Sequence, residues 1–216
     1  MLLGLLAPPR CLSCRAPLVR AAAGPGLCGP CAAAVERSSP VAFRADAIDG
    51  GIAPLPYEGT GRRLVAALKF GRLAVVAELG ATLIADRAPA GWLEATIVPV
   101  PAAPLRARRR GLDPAWELAS ALVGQTGAAA APALRRRDRR HQRGRSRAER
   151  LARPPVVDAV ADAPRRALLI DDVVTTGATI DACARALRLA GSVEVRALAL
   201  AAVPPRRAVG DREPAP

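Results

Sequence analysis

Apolar residues fall along the chain in two spacings. Between Ala167 and Ile170 they form a short unbroken run, bounded by Pro164-Arg165-Arg166 on one side and Asp171-Asp172 on the other. Such a run predicts a strand buried on both faces of a parallel sheet. From Gly177 the spacing changes: Ile180, Ala184, Leu187 and Ala190 recur at helical intervals, and Gly191 stands where a helix over 177–190 would stop. Further strands are predicted at 95–100, running into Pro99-Val100-Pro101, at 131–134 and at 193–201. Helical spacing puts Leu64, Val65 and Leu68 on one face of a helix from Thr60 to Gly71, and Leu73, Val76, Leu79 and Leu83 on the next. Asp113 predicts an N-cap with Pro114 at the first helical position, Leu118, Ala121 and Leu122 facing inward, and an end at Gly124. Residues from Arg37 to Ala53 read as a connector. Strands alternating with helices through right-handed crossovers predict an α/β fold on a doubly wound parallel sheet.

A chain of 216 residues can hold one well-buried domain and a small appendage. No apolar run approaches the length of a membrane span, and Met1 to Ala7 is short and lacks the basic leader of a secretory signal. A cytoplasmic protein without membrane insertion is the expectation. Trp92, Trp116 and Tyr57 read as core anchors.

Charge changes the picture only in part. The formal net charge is +13, yet Lys69 is the single lysine among 32 basic residues, and arginine is abundant alongside alanine, glycine and proline. Compositional bias accounts for much of that excess. The distribution is nonetheless uneven: Arg106, Arg108, Arg109 and Arg110 form one cluster, and Arg135 to Arg150 holds nine arginines against Asp138 and Glu149. Such runs form solvated or disordered faces, and they also attract phosphate backbones or pyrophosphate. The segment 135–152 therefore reads either as a flap or as a loose insertion. His141 within it could serve as a general acid or a zinc ligand, or simply lie in solvent. Residues 204–216 read as a flexible tail.

Four of the five cysteines carry a specific chemistry. Cys11 and Cys14 form one CxxC, Cys28 and Cys31 another, with thirteen residues between the pairs. Each pair is a knuckle aiming two thiolates at one ion, and two knuckles complete a structural tetrahedral Zn²⁺ shell. Disulfides or redox thiols are the alternatives, disfavoured by a reducing compartment and by two CxxC pairs occurring together. The segment 1–38 thus reads as a four-cysteine zinc-binding module that needs this staple, since so short a piece builds no core of its own. Cys183 reads as a small buried core residue.

The richest chemistry lies in Ala167 to Thr179. Asp171 and Asp172 follow the strand, at the carboxyl end where open α/β sheets bind ligands. The loop Thr175-Thr176-Gly177-Ala178-Thr179 opens the next helix, where unpaired N–H groups, the helix dipole and hydroxyls favour phosphate. Carboxylates repel phosphate, so the acids serve another part of the ligand, and vicinal ribose hydroxyls are donors that two adjacent carboxylates accept. A receiver-type phosphoacceptor also pairs acids at a strand end, but does not need the anion loop. Lys69 suits a phosphate contact, being lysine where composition favours arginine, and suits equally a cation at a helix end.

These thirteen residues resemble the phosphoribosyl-pyrophosphate (PRPP) motif of type I phosphoribosyltransferases. The order Pro8-Pro9-Arg10-Cys11, the second CxxC, Tyr57, Leu68-Lys69-Phe70, Pro99-Val100-Pro101, Arg110-Gly111, Gln142 and the PRPP motif resembles the ComF/GntX family. Where that family has an aromatic residue, Asn and Gln after Arg-Gly, this chain has Leu112, Asp113 and Pro114, and Arg150 is followed by Leu151-Ala152-Arg153. The resemblance implies a zinc finger joined to a phosphoribosyltransferase-like domain over 54–203, and a link to DNA uptake in competent bacteria. As an enzyme, it would displace pyrophosphate from PRPP with a nitrogen nucleophile. Asp171 and Asp172 would act on the ribose, Thr175 to Thr179 and Lys69 on phosphate, and Mg²⁺ on the pyrophosphate. As a non-catalytic protein, it would act on single-stranded DNA or a DNA-processing partner such as a helicase.

Overall fold

The computed structural model describes residues 9–18, 26–70, 73–102, 113–137, 155–160 and 163–205. Arg106 to Leu112, His141, Gln142, Arg150 and the tail beyond 205 lie outside them, as does most of the arginine-rich 135–152.

Three parallel pairings make the centre of the sheet. The strands β4 (Thr96–Pro99), β7 (Arg166–Val174) and β8 (Glu194–Ala202) lie side by side, and β8 also pairs in parallel with β2 (Gly50–Ala53). β3 (Leu55–Pro56) continues along β8, and β1 (Val41–Phe43) closes the far edge antiparallel to β2. The strand order is β1-β2-β8-β7-β4. This is the mixed α/β architecture with a parallel core that the alternation predicts. A separate antiparallel ribbon pairs β5 (Leu134–Arg136) with β6 (Val157–Ala159).

Both faces of the sheet are covered. On one, Ile97, Leu168, Ile170, Leu198 and Leu200 pack against Leu64 and Leu68 of α2 (Gly59–Phe70), Val76 and Ile84 of α3 (Leu73–Arg87), and Leu118 and Leu122 of α4 (Pro114–Thr126). The other buries Ala167, Leu169, Val195 and Ala197 beneath Ile180, Cys183 and Leu187 of α5 (Ala178–Leu189). No helix among the described residues is long and apolar enough to cross a membrane.

Several boundaries move, each for a local reason. β7 does not stop at Ile170: Asp171, Val173 and Val174 pair with Ala199, Ala201 and Ala202 of β8, and that ladder carries the strand through the acids. The segment Arg37 to Ala53 is not a plain connector but contains β1 and β2, too short and glycine-rich to show alternation. α4 runs past Gly124 to Thr126, and Gly127 at φ +70° ends it in the left-handed region. Of the segment expected as a strand at 131–134, Ala131 donates its amide to the Ile97 carbonyl of β4 at 2.9 Å beside an Ala130–Ile97 bridge, and Leu134 begins β5. Trp116 is 48% exposed and so no core anchor, whereas Tyr57 and Trp92 pack partly buried against the core.

At the end of α5 the Ser192 amide donates to the Leu187 carbonyl and the Gly191 amide to that of Arg188, the paired bonds of a Schellman stop. Gly61 lets α2 settle onto β3: a Cβ there would overlap the Pro56 carbonyl and lie 3.1 Å from the Leu55 Cβ.

The cysteine segment joins this core. α1 (Gly29–Glu36), which carries Cys31, packs on α2, and Leu12, Leu27, Cys31 and Val35 belong to the same buried cluster as Leu55 and Leu64. Arg87, at the end of α3, donates to the Val35 carbonyl at 3.4 Å and the Ser38 carbonyl at 2.9 Å, tying down the last turn of α1 and the chain after it.

Candidate functional site

The carboxyl end of β7 gathers charge. Asp172 is 8% exposed, and its Oδ2 lies 2.8 Å from the Nζ of Lys69, in the last turn of α2. Asp171 folds back so that its Oδ1 accepts the Asp172 amide at 2.7 Å. Burial, and then the adjacent Asp172 charge, hold the Asp171 carboxyl well above the usual carboxylate range, against the pull of Lys69. After burial, the Asp171 charge raises Cys183 beneath it, so that this thiol stays protonated in the core.

Asp113 joins the cluster. Its Oδ1 caps α4 at the Ala115 amide, 3.1 Å away, and its Oδ2 accepts the Ala102 amide at 3.0 Å. Burial raises its pKa, those amides oppose the rise, and the Asp172 charge adds to it. As a sequence feature Asp113 signals only a cap. Its nearness to Asp172 depends on the β4–β7 pairing, which no local pattern reveals.

Beyond the acids the chain turns into α5. Gly177 takes φ +77° at the helix N-cap, and a Cβ there would stand 3.0 Å from the Arg44 carbonyl, so a left-handed, closely packed turn requires glycine. The Thr176 hydroxyl accepts the Ala178 amide at 3.4 Å, while Thr179 lies in the first turn of the helix. A cavity of about 680 Å³ opens beside the loop, lined by Thr175, Thr176 and Gly177 and, opposite, by Phe43, Arg44 and Pro204. Asp171, Asp172, Lys69, Ala178 and Thr179 do not line it. The structure thus brings Lys69 to the acids, and the first part of the loop to Arg44 and Phe43. Neither of these two stands out in the sequence, because both lie in what reads as a connector. The segment that carries them is fixed to α5 by the Ala47 amide on Asp181 Oδ1 at 2.9 Å and by Arg188 on Asp49 at 2.6 Å.

The second cluster is the cysteine set. The sulfurs of Cys11, Cys14, Cys28 and Cys31 all lie within 4.8 Å of one another, and those of Cys14 and Cys28 are 3.5 Å apart. Thiolates about 2.3 Å from a tetrahedral Zn²⁺ stand roughly 3.8 Å from each other, so this donor set fits the ion. The amides of Cys14 and Cys28 both point at the Cys11 sulfur, at 3.5 and 3.4 Å. Burial works against it, but these amides and that of Ser13 bring the Cys11 thiol down to about 6. Cys28, against the pull of the Cys31 amide, is pushed up to about 12 beside the Cys14 sulfur. An arriving cation would release the protons that the thiols carry.

No protein-family model matches the chain, and no curated protein matches it. Among solved structures, that of the allosteric regulatory enzyme of purine biosynthesis is similar over 56% of this chain and 24% of its own, with 22% identity and a TM-score of 0.37.

Proposed function

We propose that the chain is a ComF-like protein that binds PRPP or a related sugar phosphate at the carboxyl end of its parallel sheet, through Asp171, Asp172 and the Thr175–Thr179 loop, with a Zn²⁺ held by Cys11, Cys14, Cys28 and Cys31. One observation carries the reading: an acid pair near the end of a central parallel strand is followed, after Val173 to Thr176, by a glycine-capped helix N-terminus. Acids suited to ribose hydroxyls and amides suited to phosphate then stand close together along the chain, as a sugar phosphate requires.

The chemistry follows from these groups. Asp171 and Asp172 hold the ribose and face the positive charge that develops on the ring as pyrophosphate leaves C1. Gly177 and the threonines anchor the 5′-phosphate, fixing the sugar at both ends. Mg²⁺, a hard cation that takes oxygen donors, would supply charge neutralisation on the departing pyrophosphate. A nitrogen nucleophile completes the transfer. The clustering of arginines at Arg106 to Arg110 and Arg135 to Arg150 favours a second reading, in which the ligand site serves a non-catalytic protein acting on single-stranded DNA or a DNA-processing partner.

PRPP with Mg²⁺ at about a hundredfold over Kd should raise the melting temperature by roughly 5–10 °C, and the Asp171→Asn/Asp172→Asn variant should show no rise. Equal rises in both proteins would remove the acids from the site. Pyrophosphate release against a panel of nucleobases and amines separates turnover from binding alone. For the second reading, single-stranded DNA affinity should fall steeply with salt, and a flat profile counts against it.

A further inference from the structure

The two clusters are joined by a single helix. Ser13 sits between the first two cysteines, only 7% exposed, and its hydroxyl accepts from the Nε of Arg63 at 3.0 Å. The same guanidinium donates to Thr60 Oγ1 at 3.1 Å, so Arg63 fastens the cysteine loop to the first turn and a half of α2. Six residues on, about 9 Å along the axis, Lys69 of that helix reaches Asp172. Between them Leu64, Val65 and Leu68 are each 1% exposed, in one cluster with Leu12, Leu27 and Cys31. A helix packed this tightly cannot slide or turn without disturbing both ends.

We infer that Arg63 is a positioning residue through which the metal state of the cysteine cluster sets the placement of Lys69 on Asp172, so that cation and sugar phosphate strengthen each other's binding. The inference rests on the sugar-phosphate reading above. A metal drawing the four sulfurs together fixes the Cys11–Cys14 turn and with it Ser13. Arg63 then holds the start of α2 in register, and Lys69 is presented to Asp172 at its far end. Without the metal the Ser13 hydroxyl loses its fixed position, and the ammonium loses the geometry that orients Asp172 toward a ribose. Linkage makes the effect reciprocal: whatever factor the metal adds to ligand affinity, the ligand adds to metal affinity.

Ribose 5-phosphate is the probe, titrated calorimetrically into zinc-loaded and chelator-stripped protein. Loaded wild type should bind at least about fivefold more tightly than stripped. Saturating ribose 5-phosphate should raise zinc affinity by the same factor in competition with a chromophoric chelator. Arg63→Met keeps the apolar stem but removes both donors. In the loaded state, with one zinc per chain and an unchanged circular dichroism spectrum, it should bind ribose 5-phosphate at least about threefold more weakly, and its zinc affinity should ignore the ligand. Arg63→Lys, able to reach Ser13 alone, should fall between. The loaded-state comparison keeps the test decisive even if stripping unfolds the wild type. Unchanged ribose 5-phosphate affinity in loaded Arg63→Met, or a zinc affinity of the wild type that does not respond to the sugar phosphate, overturns the linkage and leaves the sugar-phosphate reading intact. No binding of ribose 5-phosphate by loaded wild type overturns both.

Discussion

Removing the ammonium of Lys69 should be more damaging than removing its partner. At 2.8 Å, Coulomb attraction between the two charges is about 1.5 kcal/mol in bulk water and about 6 kcal/mol at an effective dielectric constant of 20. The side chains are 21% and 11% exposed, so the pair lies nearer the second limit, while desolvation returns much of the gain. Lys69→Met leaves the buried Asp172 carboxylate beside Asp171 and Asp113 with no ammonium against it, and should cost about 3 kcal/mol. Asp172→Asn keeps the shape, removes one of the crowded negative charges and should cost about 1.5 kcal/mol. The double variant should cost about 2 kcal/mol, giving a coupling near 2.5 kcal/mol. Urea unfolding of the four proteins at neutral pH, followed by Trp fluorescence and circular dichroism, measures the cycle. A coupling below about 0.5 kcal/mol, the size of an exposed surface pair, would refute the claim that this pair is a buried clamp on α2.

Other consequences are as direct. Because Asp171 has a raised pKa, the folded chain holds its proton more tightly than the unfolded chain does. Its contribution to stability is therefore greatest at low pH and is lost as pH rises from the unfolded value of about 3.9 through the folded one. Asp171→Asn should thus be at least as stable as wild type at pH 7.5, with the advantage shrinking toward pH 4 while sugar-phosphate binding is lost; urea midpoints that run the other way would contradict burial as the cause. Cys11→Ser removes the sulfur that two amides address, and should abolish stoichiometric zinc and loosen the packing of Leu12 and Leu27, read as metal content and hydrogen exchange. Gly61→Ala should cost about 1–3 kcal/mol by driving a methyl into the Pro56 carbonyl, and a melting temperature within about 1 °C of wild type would show that α2 does not rest on β3.

The chain reveals its parallel core because those strands are apolar runs with charged or turn residues at both ends. Leu168, Leu169 and Ile170 show it without tertiary information, and so do the periodic faces of α2 and α5. The extent of β7 is hidden, since two adjacent acids look like an ending until the β8 ladder is there to pair them. β1 and β2 are hidden for a similar reason: three and four residues with two glycines carry no alternation, and only docking on β8 makes them strands. The cysteine cluster is legible from spacing alone, because a CxxC knuckle is local geometry. The Lys69–Asp172 pair and the approach of Asp113 are not, being products of residues far apart in sequence meeting at one strand end. Arg44 and Phe43 fail to stand out for the same reason, since their place beside Gly177 is set by α5 and not by their neighbours in sequence.

That the acids stand inside a paired strand also decides how a ligand would be felt. Asp171 and its neighbours share the β8 ladder with Leu168 and Leu169, which are fully buried. Their backbone is therefore fixed beforehand, and ordering it adds little entropic cost to association. The acids open only when the sheet opens, so occupancy there should slow amide exchange across β7 and β8 together, well beyond the residues that touch the ligand.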